Sequence, residues 1–278
     1  MLGQRIVTAV VLLALLVPAA LSTEPWPFPA LTALLLAAAG WEWARLHGGD
    51  GRTAWGLAVL LLVACVAGWD AAIGKRVPRE IWICAAFAWV LGGAWALRHG
   101  VEGWRRHPRW VTWPVGFLAL WGAWMALVTA RAQGLGFVLS VLCLVWVADI
   151  AAYFGGRAFG RHKLAPSISP GKSWEGVWAG MLGVLALAWG WVSVGASGEV
   201  WGASLFTALV ARYEFWGTTS LVLLLAAMSV VGDLFESLVK RAAGVKDSSH
   251  LLPGHGGVLD RIDALLPVFP LALALSSL

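Results

Sequence analysis

"LVLLLAAMSVVGDLFESLVKR", Leu221 to Arg241, opens as an uninterrupted apolar run and closes on five polar side chains. If the run is helical from Val230, then Asp233, Glu236, Ser237, Lys240 and Arg241 stand at i, i+3, i+4, i+7 and i+8. That spacing puts all five on one stripe. A polar stripe on a membrane helix has to face a protein interior or a water-filled cavity, because charge beside lipid is costly. The stretch therefore reads as a transmembrane helix with one working face.

The rest of the chain supports a membrane protein. It has 278 residues, 60% of them hydrophobic and only 13% charged, where a soluble domain carries roughly a quarter. Apolar blocks near the length of a bilayer-crossing helix, about 20 residues, recur at 5–22, 28–46, 54–73, 81–98, 112–130, 133–154, 174–196, 216–239 and 263–278. The fold class expected is all-α, a polytopic integral membrane protein of about nine transmembrane helices. The last block is short for a span, and "VWGASLFTALVA" at 200–211 reads as a partial or re-entrant helix. The first block is read as an uncleaved span rather than a secretory leader, since so many spans follow it.

Charge sets the orientation. With the N-terminus inside, cytoplasmic segments hold fifteen of the 20 lysines and arginines, as the positive-inside rule requires. The formal charge of +5 belongs to those loops, and no nucleic-acid partner is expected. Twenty tryptophans suit membrane interfaces. Cys65, Cys84 and Cys143 lie inside apolar blocks without C-x-x-C spacing, so neither disulfides nor zinc is implied.

By character the chain divides into N-terminal scaffold helices, 1–132, and a C-terminal catalytic region, 133–278. Carboxylates, lysines and glycines gather at helix ends in the second part. Its first motif is "ADIAAYFGGRAFGRHKLAPSISPGKSWEG", Ala148 to Gly176. Asp149 ends an apolar span and is a candidate functional residue on cost alone; a plain ion pair with a nearby cation is the ordinary alternative. Lys172 and Ser173 stand just before the next helix, whose free N–H groups suit a phosphate. "GKS" is not an ATP-binding loop, because Pro166 stands where the first glycine of that pattern belongs.

The second motif continues the opening stretch through "AAGVKDSSHLLPGHGGVLDRID" to Asp263. Gly244 is placed to end the helix. Asp260 and Asp263 fall at i and i+3 of the next helix and converge with Asp233. Three carboxylates without a His/Cys cluster suit a hard cation such as Mg²⁺. Lys240, Arg241, Lys246 and Arg261 surround them, as a metal-bound polyphosphate demands. A salt-bridge network joining two helix ends is the plainer alternative. His255, before Gly256 and Gly257, is placed to meet a phosphate, whereas His250 reads as a bystander.

"SLVKRAAGVKDSSHLLPGHGGVLDRID" resembles the signature of the phosphatidate cytidylyltransferases, the CDP-diacylglycerol synthases. Ser237, Lys240, Arg241, Lys246, Asp247, Pro253, Gly254, His255, Gly256, Gly257, Asp260, Arg261 and Asp263 meet its fixed positions. "SPGKSWEG" resembles a second family element, and "WEWARL" at 41–46 a weaker early one. The stretch around 198–215 departs from the family by its length.

The resemblance implies attack of phosphatidic acid on CTP, giving CDP-diacylglycerol and pyrophosphate. It implies Asp233, Asp260 and Asp263 as metal ligands for Mg²⁺, with a second, monovalent cation such as K⁺. Lys240 and Arg261 join those aspartates as catalytic candidates. Lys172, Ser173, Ser237, Arg241, Lys246, His255, Gly256, Gly257 and Asp149 are candidates for holding CTP or lipid phosphates. Partners would be CTP, phosphatidic acid and membrane lipids, with a homodimer also compatible. A bacterial inner membrane with the site facing the cytoplasm would be the location. A CTP-dependent polyprenol or phytol kinase is the alternative, and a transporter a more distant one.

Overall fold

The computed structural model describes residues 2–74, 76–194 and 203–277. Ten helices are seen among them: α1 (Leu2–Leu21), α2 (Pro27–Leu46), α3 (Gly51–Ile73), α4 (Arg79–Arg105), α5 (Arg109–Gln133), α6 (Leu135–Phe159), α7 (Trp174–Ser193), α8 (Leu205–Ala242), α9 (Leu259–Ile262) and α10 (Leu265–Ser277). The nine expected apolar blocks correspond to α1–α8 and α10, so the chain is an all-α polytopic membrane protein. Seven helices, α1 and α3–α8, are long and apolar enough to cross a membrane. The count differs from nine at α2, which carries Glu42 and Arg45, and at α10, which has 13 residues.

That short last helix is the centre of the bundle. Every residue from Leu266 to Ala274 is buried, and α10 packs against α4, α5 and α8. A helix that is hydrophobic all round needs partners on every side, which α10 has and a lipid-facing span would not. The hydrophobic core accordingly runs without a break across the 132/133 division, from Leu36 on α2 to Leu271 on α10.

Close helix contact is made by glycine. A Cβ on Gly176 would lie 2.8 Å from the Ala152 carbonyl oxygen, and one on Gly180 would lie 2.9 Å from that of Ala148. Small residues let the backbones of α6 and α7 touch, bringing the end of α6 to the start of α7. Gly232 does the same between α8 and α10, where a Cβ would meet the Asp263 carbonyl at 2.5 Å and the Pro267 ring at 2.9 Å. Gly232→Ala is therefore expected to force α8 from α10 and destabilise the protein by about 1–3 kcal/mol. A thermal unfolding scan in detergent checks this, and an unchanged midpoint would refute the close-packing argument.

Two local features differ from the expectation. Residues 163–173 form an antiparallel hairpin, β1 (Lys163–Ala165) with β2 (Ser169–Ser173), a small strand pair that the all-α reading did not name. Pro166 and Ser167 make its turn, and Ile168 is buried beneath it. In α8 the backbone breaks at Glu214, with φ 55 and ψ −164, separating Leu205–Tyr213 from the span. The partial helix expected at 200–211 is this capped segment from Leu205 onward; residues 200–202, like Lys75, lie outside the described residues.

Both polar motifs sit at one end of the bundle. Arg5 Nε donates to the Gly254 carbonyl at 3.0 Å and Thr8 Oγ1 to that of Pro253 at 2.8 Å. Arg241 Nε donates to the Ile168 carbonyl at 3.3 Å. The start of α1, the hairpin and the loop after α8 thus share a face.

Candidate active site

A cavity of about 440 Å³ lies between α6, α7 and α8, with Asp149, Tyr153, Arg157, Lys172, Ser173 and Asp233 among its lining residues. Each reaches it for a local reason. Asp149 and Arg157 are two turns apart on α6. Lys172 and Ser173 end β2 as it enters α7. Ser173 caps α7 by accepting from Gly176 N at 3.2 Å, the usual serine role there. Asp233 comes from the polar stripe of α8.

The two motifs meet in one ion pair, Lys172 Nζ to Asp233 Oδ2 at 2.6 Å. Asp149 and Asp263 are near enough to feel the charges of both partners. Lys172 thus stands among three carboxyl groups, those of Asp149, Asp233 and Asp263, beside a helix N-terminus. Ser237 lies one turn from Asp233, its Oγ 3.4 Å from Asp233 Oδ1.

Asp260 belongs to a second, deeper cluster. Its Oδ1 accepts from Lys240 Nζ at 2.6 Å, while Oδ2 accepts from Gly257 N at 2.7 Å, Ser248 Oγ at 2.8 Å and Ser248 N at 3.0 Å. Burial alone would raise this carboxyl, but those hydrogen bonds and the Lys240 charge outweigh it and hold it down at about 2. Lys240 also pairs with Glu236 at 2.6 Å, and the Glu236 side chain is only 2% exposed. Asp263 lies near both Asp233 and Glu236, and so between the cavity and this cluster.

The remaining candidates are placed as follows. Arg261 donates from Nε and Nη2 to the His255 carbonyl at 3.0 and 2.5 Å, so it closes the turn rather than reaching into the cavity. Arg241 ties the hairpin and the Val245 carbonyl to the end of α8, which Gly244 terminates with φ 76. Gly256 has φ 81 and packs on the Asp260 carboxylate, while a Cβ on Gly257 would strike Ser248 and Glu42. Gly256 is required by its backbone conformation and Gly257 by the lack of room for a side chain. His255 Nδ1 is buried without a partner. Lys246, Asp247 and His250 are exposed.

The sequence reading missed Glu42. It lies on α2, is 0% exposed, and accepts four hydrogen bonds from residues 248–259. Its sequence signals were a carboxylate inside an apolar helix and its place in "WEWARL", the weaker family element at 41–46, to which no role was given.

Among the described residues no three His, Cys, Asp or Glu side chains are arranged as a metal centre. Asp233, Asp260 and Asp263 are not gathered as such a set, because both Asp260 oxygens are already engaged. A complete protein cage is not what Mg²⁺ needs, since it binds through one or two carboxylates together with substrate phosphates. Asp233 and Asp263 would meet that smaller requirement if Lys172 released Asp233 Oδ2 to the ion and turned to a substrate phosphate.

The comparisons bear on these motifs along the whole chain. A family model described as the cytidylyltransferase family matches residues 3–278. A phosphatidate cytidylyltransferase of Pseudomonas aeruginosa is 38% identical over 283 aligned residues, covering 99% of this chain and 97% of that protein. One of Haemophilus influenzae is 49% identical over 138 residues, 50% of this chain and 44% of that protein. One of Brucella melitensis is 43% identical over 159 residues, 55% of this chain and 53% of that protein.

Proposed function

The chain belongs to the cytidylyltransferase family, and from that premise we propose that it is a phosphatidate cytidylyltransferase. It would make CDP-diacylglycerol and pyrophosphate from CTP and phosphatidic acid. The observation that carries this reading is the Lys172–Asp233 pair, which joins the two phosphate-type motifs across one cavity. The membrane would be a bacterial inner membrane, and the charge distribution of the loops supports a cytoplasmic site.

In the proposed reaction a lipid phosphate oxygen attacks the α-phosphorus of CTP. The new P–O bond forms as the bond to the β-phosphate bridging oxygen breaks, and pyrophosphate leaves with the electron pair. No side-chain nucleophile is needed, because a phosphate monoester is already anionic near neutral pH. Catalysis rests on positioning and on charge stabilisation. Lys172 and Arg157 would hold phosphoryl oxygens, with the start of α7 supplying N–H groups. Mg²⁺, held by Asp233 and Asp263 with the nucleotide, would neutralise charge on the triphosphate. Tyr153 lines the cavity and is 60% exposed, so acyl chains would leave the cavity beside it for the lipid.

Purified protein in detergent, given labelled CTP with phosphatidic acid and then with a polyprenol, tests the reading. Labelled CDP-lipid and pyrophosphate are expected from the first substrate alone. Phosphorylated alcohol and CDP from the second would replace the assignment with a lipid kinase. Omitting Mg²⁺, and exchanging K⁺ for a bulky organic cation, tests the two ions in the same assay.

A further inference from the structure

We infer that Glu42 is a positioning residue for this reaction, fixing from the N-terminal half the segment that presents Asp260, Arg261 and Asp263. Its Oε1 accepts from Ser249 Oγ at 2.5 Å and Val258 N at 2.9 Å; its Oε2 accepts from Leu259 N at 2.7 Å and Ser248 Oγ at 3.2 Å. All four partners are donors, and all lie between residues 248 and 259. Among the described residues Glu42 makes no ion pair; its nearest compensation is this set of hydrogen bonds. A buried carboxylate held only by neutral donors is costly unless each bond is well made, so the segment is fixed to the carboxylate as firmly as the carboxylate is to the segment.

The connection to the chemistry is short. Ser248 Oγ lies between two carboxylates, 3.2 Å from Glu42 Oε2 and 2.8 Å from Asp260 Oδ2. The backbone N–H of Leu259, held by Glu42, immediately precedes Asp260. The anchor itself is rigid. The neighbouring Trp43 is 1% exposed, donates from Nε1 to the Thr112 carbonyl at 2.9 Å, and lies 6.1 Å from the Phe235 ring on α8. Glu42 thus sets the position of the loop carrying Asp260 and Asp263 relative to the helix carrying Asp233.

Glu42→Gln keeps the size of the side chain, but whichever way the amide turns its N–H₂ meets a backbone N–H that can only donate, that of Val258 or that of Leu259. The segment must shift, and misplacement of about 1 Å costs on the order of 10²-fold in rate. The expected result is a kcat lower by about 100-fold per folded molecule. The KM for CTP should stay within about threefold, because the Lys172 side of the cavity is untouched. Glu42→Asp, which retains the charge, should recover part of the loss. A merely structural role would lower the amount of folded protein and leave kcat per folded molecule unchanged.

A Glu42→Gln protein with kcat within about twofold of wild type overturns the inference. Should that variant fail to accumulate, Ser249→Ala carries the test, since it removes one of the four bonds and keeps the carboxylate. A kcat reduced at constant KM supports the positioning role, and an unchanged kcat overturns it. The inference rests on the proposed reaction, and wild-type protein assayed in parallel separates the two. No CDP-lipid from wild type removes the reaction; full activity in the variants removes only the role of Glu42.

Discussion

Asp233→Asn is expected to leave a folded, membrane-inserted protein with turnover lower by about 10²–10³-fold or more, the cost of losing one preorganised charge at a reacting phosphoryl group. Asparagine keeps the shape of the side chain, so the cavity between α6, α7 and α8 should persist. What disappears is the charge that holds Lys172 and that lies beside Asp149 and Asp263. The fold should tolerate this, because Lys172 and Asp233 are 27% and 29% exposed, and a pair that accessible contributes no more than about 1 kcal/mol. Steady-state formation of CDP-lipid by the purified variant, with a thermal scan beside it, checks both halves. Near-normal turnover at saturating Mg²⁺ would remove Asp233 from the reaction.

Asp260→Asn should fail differently. Its carboxylate is 6% exposed and takes four hydrogen bonds, one of them from Lys240. An amide N–H₂ in place of Oδ2 would face Gly257 N and both donors of Ser248. Replacing it breaks a buried pair, at a cost of about 3–5 kcal/mol, and releases the turn that carries Gly256 and Gly257. Turnover and the unfolding midpoint should therefore fall together. A variant that loses turnover at wild-type stability would show that Asp260 acts on substrate directly, and one that keeps turnover would show that the turn is held by Glu42 alone. Since the carboxyl is held at about 2, its contribution to stability is present above the ordinary carboxylate range and is lost only as the pH falls toward 2.

The two variants separate residues that the sequence had grouped. Asp233, Asp260 and Asp263 share a charge and a motif, and spacing along helices places all three on inward faces. Spacing does not say which donors each oxygen meets. Asp260 is engaged because Ser248 and Gly257 fold back over it through a turn built on Gly254 and Gly256, with φ 76 and 81. Asp149 comes beside Asp233 because α6 packs on α8 as well as on α7. Arg261 closes on its own loop, which no periodicity could have indicated.

By itself the sequence determined that this chain is an all-α membrane protein with one polar face on α8 and phosphate-type motifs after α6 and α8. Those properties follow from hydropathy, helical period and charge, which are local along the chain. Only the tertiary structure decided that the 13-residue α10 is the centre of the bundle, that Lys172 meets Asp233, and that Glu42 reaches over 200 residues to hold the loop before Asp260. The physical reason is that a buried carboxylate is defined by its donors, and the donors of Glu42 come from the far end of the chain.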